Sequence, residues 1–507
     1  MKNKLCLIVL IVTLALSTTA NLYSNGQVDT KKSEKDIVRI SDTMPGLITP
    51  GVWNGQAFSL NSSIYEYLVA LSAEDNLLVP SLATSWDTSD GKVWEIKIRE
   101  GVSFHDGTDL TSEDVKFTIL RTQEESVGHA KKADFAAVTS VTTPDDYTVI
   151  ITLDEKRPTF IYQFTDYNMA ILSSSYDYAS LGEMKPMGTG AFKIASITPK
   201  ESAVLVKNDN YWQSEYPLID ELQIYFSSDV EVSLSMLIND KVDIVPFITP
   251  IMRQRIETYP KLKIVVPYQE QRYVSMAVDE PPFDDNRVRL ALKYAMDPAI
   301  IARSTNLTLG EGTDYSESPI MKLLPQYYPI PLRERNIEKS KELLKEAGYP
   351  NGLKVSLTYA SDHAFNQGIV QAIKELAKDA NIQIELKGYP RDIYFAQYWL
   401  QRPFTLTTWG GRADPSMLLN LAYKSDGPWN ESHIKDPVLD DLIDRISSEV
   451  DNEVRNDLYV QLQQYFYDNG AMLNVQVPYF VAMNNKIEGY EQPLTMLPNY
   501  KKVFIKK

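Results

Sequence analysis

At 507 residues the chain is well above the roughly 150-residue scale of one domain, so two or three lobes are expected. A hydrophobic share of 44% is enough for sizeable cores. A net charge of −16 excludes a phosphate-binding face of clustered Lys and Arg, so no nucleic-acid partner is expected.

The first twenty residues read differently from the rest. Lys2 and Lys4 form a basic start, and Leu5 to Leu16 is an apolar run. Thr18, Thr19 and Ala20 supply small residues for cleavage. The run is shorter than the about 20 apolar residues a membrane span needs, so residues 1–20 read as a secretory signal. The only cysteine, Cys6, lies inside it, which leaves the mature chain without thiol, disulfide or lipid-acceptor cysteine. The expected location is the periplasm, with polar residues 21–35 as a flexible leader.

After the strand-like IVRIS, the stretch PGVWNGQAF (50–58) sets Trp53, Asn54 and Gln56 in a glycine-flanked loop. It is either a plain turn or one wall of a cleft. In KVWEIKIRE, Trp94, Ile96 and Ile98 alternate with Glu95, Lys97 and Arg99, the period of a strand. TSEDVKFTILR opens with Thr111 three residues before Asp114, a helix-capping signature. YTVIITL alternates again.

From 336 onward the pattern is more regular. IEKSKELLKEAG puts Ile337, Ser340, Leu344 and Ala347 on one helical face and stops at Gly348. LKVSLTYA is a strand, NQGIVQAIKELAKDA a helix, IQIEL a strand, RDIYFAQYWL a helix and FTLTTW a strand. This alternation predicts parallel strands joined by right-handed crossovers, with ligands collecting at the strands' carboxyl ends. Two loops qualify: YASDHAF, with Tyr359 and His363, and WGGRADP, from Trp409 to Pro415.

Each residue in these loops has two readings. Asp414 is a helix N-cap followed by proline at the first helical position, or a carboxylate for a ligand ammonium. The roles are compatible if one oxygen caps and the other faces the cleft. Arg412 forks onto a ligand carboxylate or pairs locally with Asp414. Trp409 packs in the core or lines the cleft. Gly410 and Gly411 serve a sharp turn or a close backbone approach to ligand. His363 is structural or a ligand contact.

No catalytic group stands out. The histidines (His105, His129, His363 and His433) have no metal-ligand spacing, and there is no HExxH, G-x-S-x-G elbow, P-loop or strand-borne GxGxxG. No metal and no cofactor are expected.

Five segments in order resemble one family: residues 80–121 (PSLATSWDTSDGKVWEIKIREGVSFHDGTDLTSEDVKFTILR), GTGAFK (188–193), KNDNYW (207–212), FDDNRVRLALKYAMDP (283–298) and LLKEAGYPNGLKV (343–355). They are similar to family 5 extracellular solute-binding proteins, the receptors of peptide and nickel ABC importers. The resemblance implies an α/β, two-lobed periplasmic binding protein fold with an extra subdomain inserted in the first lobe. Lobe I would comprise 36–57, 187–272 and 483–507, the insert 58–186, and lobe II 273–482. The chain would do no chemistry and would deliver cargo, by hinge closure, to an ABC permease in the membrane. His105 of SFHDG and the GTGAFK motif would be structural. Peptide-binding relatives hold the ligand's amino group with an aspartate in a GDP-like segment, a place that Asp414 of GRADP matches. His363 stands near the place of a dipeptide receptor's carboxylate-binding arginine, so that clamp is unmatched, with Arg412 as a substitute. The expected ligand is a small peptide or peptide-like amine. A sugar, opine or nickel chelate remains open within the fold, and a secreted hydrolase outside it. A monomer is expected. The expected ligand-binding residues are Trp53, Asn54, Tyr359, His363, Trp409, Gly411, Arg412 and Asp414.

Overall fold

The alternating segments become strands of three main sheets. The computed structural model describes residues 35–43, 51, 58–178, 186–305, 313–363 and 365–507. The expected signal at 1–20, the leader to residue 34, and Trp53 and Asn54 lie outside the described residues. Among the described residues no helix is long and apolar enough to cross a membrane.

A seven-stranded sheet is ordered Leu262–Val265, Val481–Asn484, Ile244–Val245, Ile37–Asp42, Glu221–Phe226, Ser202–Lys207, Phe192–Thr198. A six-stranded sheet is ordered Asp314–Ser316, Met472–Pro478, Gln269–Met276, Phe404–Trp409, Leu353–Ala360, Ile382–Tyr389. They centre the two lobes. The four-stranded sheet, Ala83–Asp87, Val93–Ile98, Thr148–Leu153 and Val138–Asp145, falls in sequence between two strands of the seven-stranded sheet. Its pattern is simple. Trp94 pairs with Ile151 and Ile96 with Val149, and all four are buried, so one face of the sheet is apolar. The helix Ser112–Arg121 packs nearby and starts with a reciprocal capping box, Thr111 N donating to Asp114 Oδ2 at 2.8 Å.

The six-stranded sheet is mixed. Leu353–Ala360 pairs parallel with both Ile382–Tyr389 and Phe404–Trp409, as the strand–helix alternation predicts. The helix Asn366–Lys378 buries Ile369, Ile373 and Leu376. On the other side Gln269–Met276 pairs antiparallel with Phe404–Trp409 and with Met472–Pro478. The chain leaves the seven-stranded sheet after Val265 and enters the six-stranded sheet at Gln269; it returns between Pro478 and Val481. The boundaries expected at 272/273 and 482/483 fall inside strands, because each strand runs nearly unbroken from one lobe to the next and no turn chemistry marks the passage. The two crossings are clasped: Tyr479 N donates to Tyr268 O at 2.9 Å, and the two rings stack 4.7 Å apart at 16°.

The GTGAFK and SFHDG motifs meet each other. Gly190 N donates to Ile64 O at 2.8 Å, and His105 Nε2 lies 3.0 Å from Gly190 O. A Cβ on Gly190 would overlap the backbone of Ser63 and Ile64, so the strand Phe192–Thr198 can approach the helix Phe58–Ile64 this closely only with glycine there. Gly190→Ala is expected to destabilise the fold by about 1–3 kcal/mol through overpacking. The change should appear as a lower denaturation midpoint in circular dichroism, and an unchanged midpoint would show that the backbone yields.

Candidate ligand-binding site

Parallel neighbours end at the same edge of a sheet. Leu353–Ala360 and Phe404–Trp409 therefore bring the 361–363 and 410–415 loops side by side. The antiparallel partner begins there, with Gln271 opposite Trp409, and Met472–Pro478 ends there, with Pro478 opposite Gln269. Both lobe crossings leave from this edge. It is the edge of the six-stranded lobe from which the chain passes to the other lobe.

Asp414 lies at this edge but has no exposed surface. Its Oδ1 accepts from Ser416 N at 2.9 Å, Ser416 Oγ at 2.6 Å and Tyr459 OH at 3.0 Å. Pro415 already has helical torsions (φ −59, ψ −33), so Asp414 is the N-cap of the helix that follows. Among the described residues its Oδ2 has only a long contact, 3.5 Å, from Gln326 Nε2. Asp414 therefore serves as the cap, and one of its oxygens is only lightly engaged. Ser416 Oγ also meets Thr159 Oγ1 at 3.0 Å, so the turn abuts the segment that follows the four-stranded sheet.

Arg412 is half-buried, and its one hydrogen bond among the described residues is a long one, 3.4 Å, to Gly411 O. It does not pair with Asp414. It faces Asp166, whose carboxyl burial would raise but which Lys131, the Asn168 N–H and Arg412 together hold below the ordinary range. Gly411 is buried, and a side chain there would overlap Leu494. Its close approach is to the C-terminal segment. Neither Gly410 nor Gly411 has a positive φ, so the turn itself does not demand glycine.

Trp409 is 5% exposed and packs in the core with Tyr273 and Trp429. Its Nε1 donates to Glu431 at 3.1 Å, beside Trp399 Nε1 at 2.7 Å, while Ser275 Oγ holds the other carboxylate oxygen at 3.0 Å. Burial pushes the Glu431 carboxyl up against these bonds. Three donors hold it without a cation, and it orients the tryptophan that ends the strand.

Tyr359 is likewise packed within its lobe, its hydroxyl donating to Gln367 Oε1 at 2.5 Å. His363 is half-buried at the edge. Burial, and then Arg272, bring its imidazole down to about 4, so it is neutral at pH 7. Around it stand groups that pattern alone did not single out. Arg272 is 1% exposed, donates to Glu270 Oε2 at 2.9 Å and lies over the Phe365 ring at 5.8 Å, while its Nε has no partner among the described residues. From the other lobe comes Asp42, which ends the strand Ile37–Asp42 and accepts from Thr43 N at 2.7 Å and Ser59 N at 3.2 Å. Burial raises its carboxyl. Tyr479 lies close to both Glu270 and Asp42; burial first, then these two charges, push its hydroxyl well up. One signal was readable: four consecutive polar residues, Gln269 to Arg272, open a strand whose continuation is apolar. Asp42 carries no comparable signal.

The remaining histidines have local partners. His129 Nδ1 accepts from Lys131 N at 3.1 Å, and His433 Nδ1 lies 2.8 Å from Asp279 Oδ1, with Glu280 beside it.

The edge therefore offers both signs of charge, Arg272 and Arg412 against Asp42, Glu270 and Asp166, among stacked tyrosines. Such a lining suits a zwitterionic solute better than a singly charged one.

Known proteins agree with this architecture. Heme-binding protein A of Haemophilus influenzae is 26% identical over 545 residues, covering 97% of each chain. The glutathione-binding protein GsiB of Escherichia coli K12 is 27% identical over 334 residues, 64% of this chain and 63% of that one. Among solved structures, HbpA2 from Haemophilus parasuis superposes with a TM-score of 0.81 at 23% identity, over 93% of this chain and 100% of the other. DppA from Helicobacter pylori, in complex with peptide STSA, gives 0.74 at 22% identity over 93% and 99%. Residues 78–430 match the family described as bacterial extracellular solute-binding proteins, family 5 Middle, and with the two-lobed fold around it the chain belongs to that family.

Proposed function

We propose that the protein is the substrate-binding receptor of an ABC importer, which captures a small peptide or peptide-like amine between its lobes and passes it to a membrane permease. The observation that carries this reading is the two-signed lining of the cleft edge. A peptide brings an ammonium and a carboxylate, and each finds an opposite charge there. Two relatives support the ligand class through their names, one with glutathione and one with a bound peptide. In this reading residues 1–20 direct export to the periplasm, 58–186 form a subdomain of the first lobe, and the receptor works as a monomer by hinge closure.

Arg412 is the residue proposed to take the ligand carboxylate, since most of its N–H groups have no acceptor among the described residues. A charge-assisted hydrogen bond is worth about 1.5–3 kcal/mol, or roughly 10- to 150-fold in affinity. Native mass spectrometry of gently purified protein should find a co-purified peptide mass. With that peptide, Arg412→Gln should weaken binding in calorimetry by about tenfold or more, and amidating the peptide's C-terminus should remove the difference. Equal affinities of wild type and variant for the free acid would reject the assignment.

Asp414 is separable by chemistry. Asp414→Asn keeps an N-cap acceptor, whereas Asp414→Ala loses it at a cost of about 0.5–2 kcal/mol. We expect Asn to keep both melting temperature and affinity near wild type and Ala to lower the melting temperature. If Asn keeps the melting temperature but loses binding, the carboxylate's charge is a ligand anchor after all.

A further inference from the structure

A second cavity of about 530 Å³ lies on the seven-stranded-sheet side of the molecule, in the size range of small-molecule sites. Its wall comes from 62–81, 191–216 and 491–502, with Thr165. No lining residue comes from the six-stranded sheet or its loops, so this cavity is distinct from the cleft edge. The segment 493–497 separates the two. Leu494 and Met496 face Gly411 and Gly410, while Pro493, Thr495 and Leu497 line the cavity.

Six tyrosine and tryptophan rings contribute to this wall: Tyr65, Tyr67, Tyr211 and Tyr500 are buried in it, and Trp212, with Arg99 over one face at 4.2 Å, and Tyr216 are half-buried. Three of its charged side chains besides Glu66 have protein partners. Lys502 Nζ pairs with Glu491 at 2.9 Å. Buried Glu66 accepts from Tyr211 OH at 2.6 Å, Thr189 Oγ1 at 2.9 Å and Trp212 Nε1 at 3.1 Å. The Lys501 ammonium donates to Gln213 Oε1 at 2.7 Å and Tyr211 OH at 3.1 Å. That leaves one of its N–H groups without an acceptor among the described residues. It lies 5.6, 5.8 and 6.0 Å from the ring centres of Tyr211, Trp212 and Tyr216.

The charge arrangement discriminates between ligand classes. A cation would meet the Lys501 ammonium. An anion would meet buried Glu66, with exposed Glu74 and Glu215 at the rim. A neutral polyol meets neither repulsion: its hydroxyls accept from Lys501, and the C–H faces of a sugar ring pack against the half-buried Trp212 and Tyr216. We infer that this cavity is a second binding site, for a neutral saccharide, separate from the interlobe cleft. It does not depend on what the cleft carries.

The test titrates purified full-length protein with N-acetylglucosamine, cellobiose and methyl glucoside, using calorimetry and saturation-transfer NMR. At least one should bind one-to-one with Kd below about 1 mM. Glucosamine and glucuronate, charged versions of the same ring, should bind at least about tenfold more weakly. Thr495→Trp, which fills the cavity from its half-exposed rim, and Lys501→Met should each weaken binding about tenfold or more, and Arg412→Gln should leave it unchanged. Circular dichroism checks that the variants fold; if Lys501→Met does not, Thr495→Trp decides alone. The site is rejected if no neutral sugar saturates the protein, or if the charged sugars bind equally well. It is also rejected if Thr495→Trp leaves the affinity unchanged, or if Arg412→Gln abolishes it and so moves the sugar to the cleft.

Discussion

Parallel pairing between Leu353–Ala360 and Phe404–Trp409 is the constraint on which the second lobe's candidate binding face depends. Two strands running the same way must end at the same edge, so the loops that follow them become neighbours whatever their sequences. The antiparallel strands beside them add a start and an end at that edge, and both continue into the other lobe. One backbone arrangement thus fixes where polar side chains can converge and where the chain can bend.

Much of the polar chemistry at this edge is internal. Asp414 caps a helix, Glu431 gathers two indoles and a serine, and Arg272 is tied to Glu270. Each buried charge answers its desolvation with several hydrogen bonds, and each holds a neighbouring loop in one orientation. Rigid walls of this kind reduce what a ligand must order when it binds. What distinguishes Arg412 is that so little of its guanidinium is used by the protein.

The sequence made the strand and helix pattern of 336–419 legible, because period-2 and period-3.6 alternation are local consequences of one-sided burial. The capping box at Thr111 and Asp114 and the cap at Asp414 were readable for the same reason: donor and acceptor lie two or three residues apart. Asp42, Glu270 and Tyr479 were not readable as a group. They are over two hundred residues apart in sequence and meet only because two lobes face each other. The role of Gly411 was half-legible. A close approach was foreseeable from glycine, but Leu494, which makes it necessary, lies in a C-terminal segment with no pattern pointing back to 411. Trp409 shows the same limit, since an aromatic at a strand end reads equally as core or cleft until Glu431 and Trp429 are placed beside it.

The clasp between Tyr268 and Tyr479 has a mechanical consequence. Two strands that run side by side, joined by a backbone hydrogen bond and a ring stack, resist torsion about their common direction far more than flexion across it. Under the hinge closure proposed above, the joint would behave as a door hinge and not as a ball joint. Cargoes of different length would then meet the same two walls in the same azimuth, and only the aperture would change. A partner that reads the outer surface would sense how far the door has swung and learn nothing of the chemistry behind it.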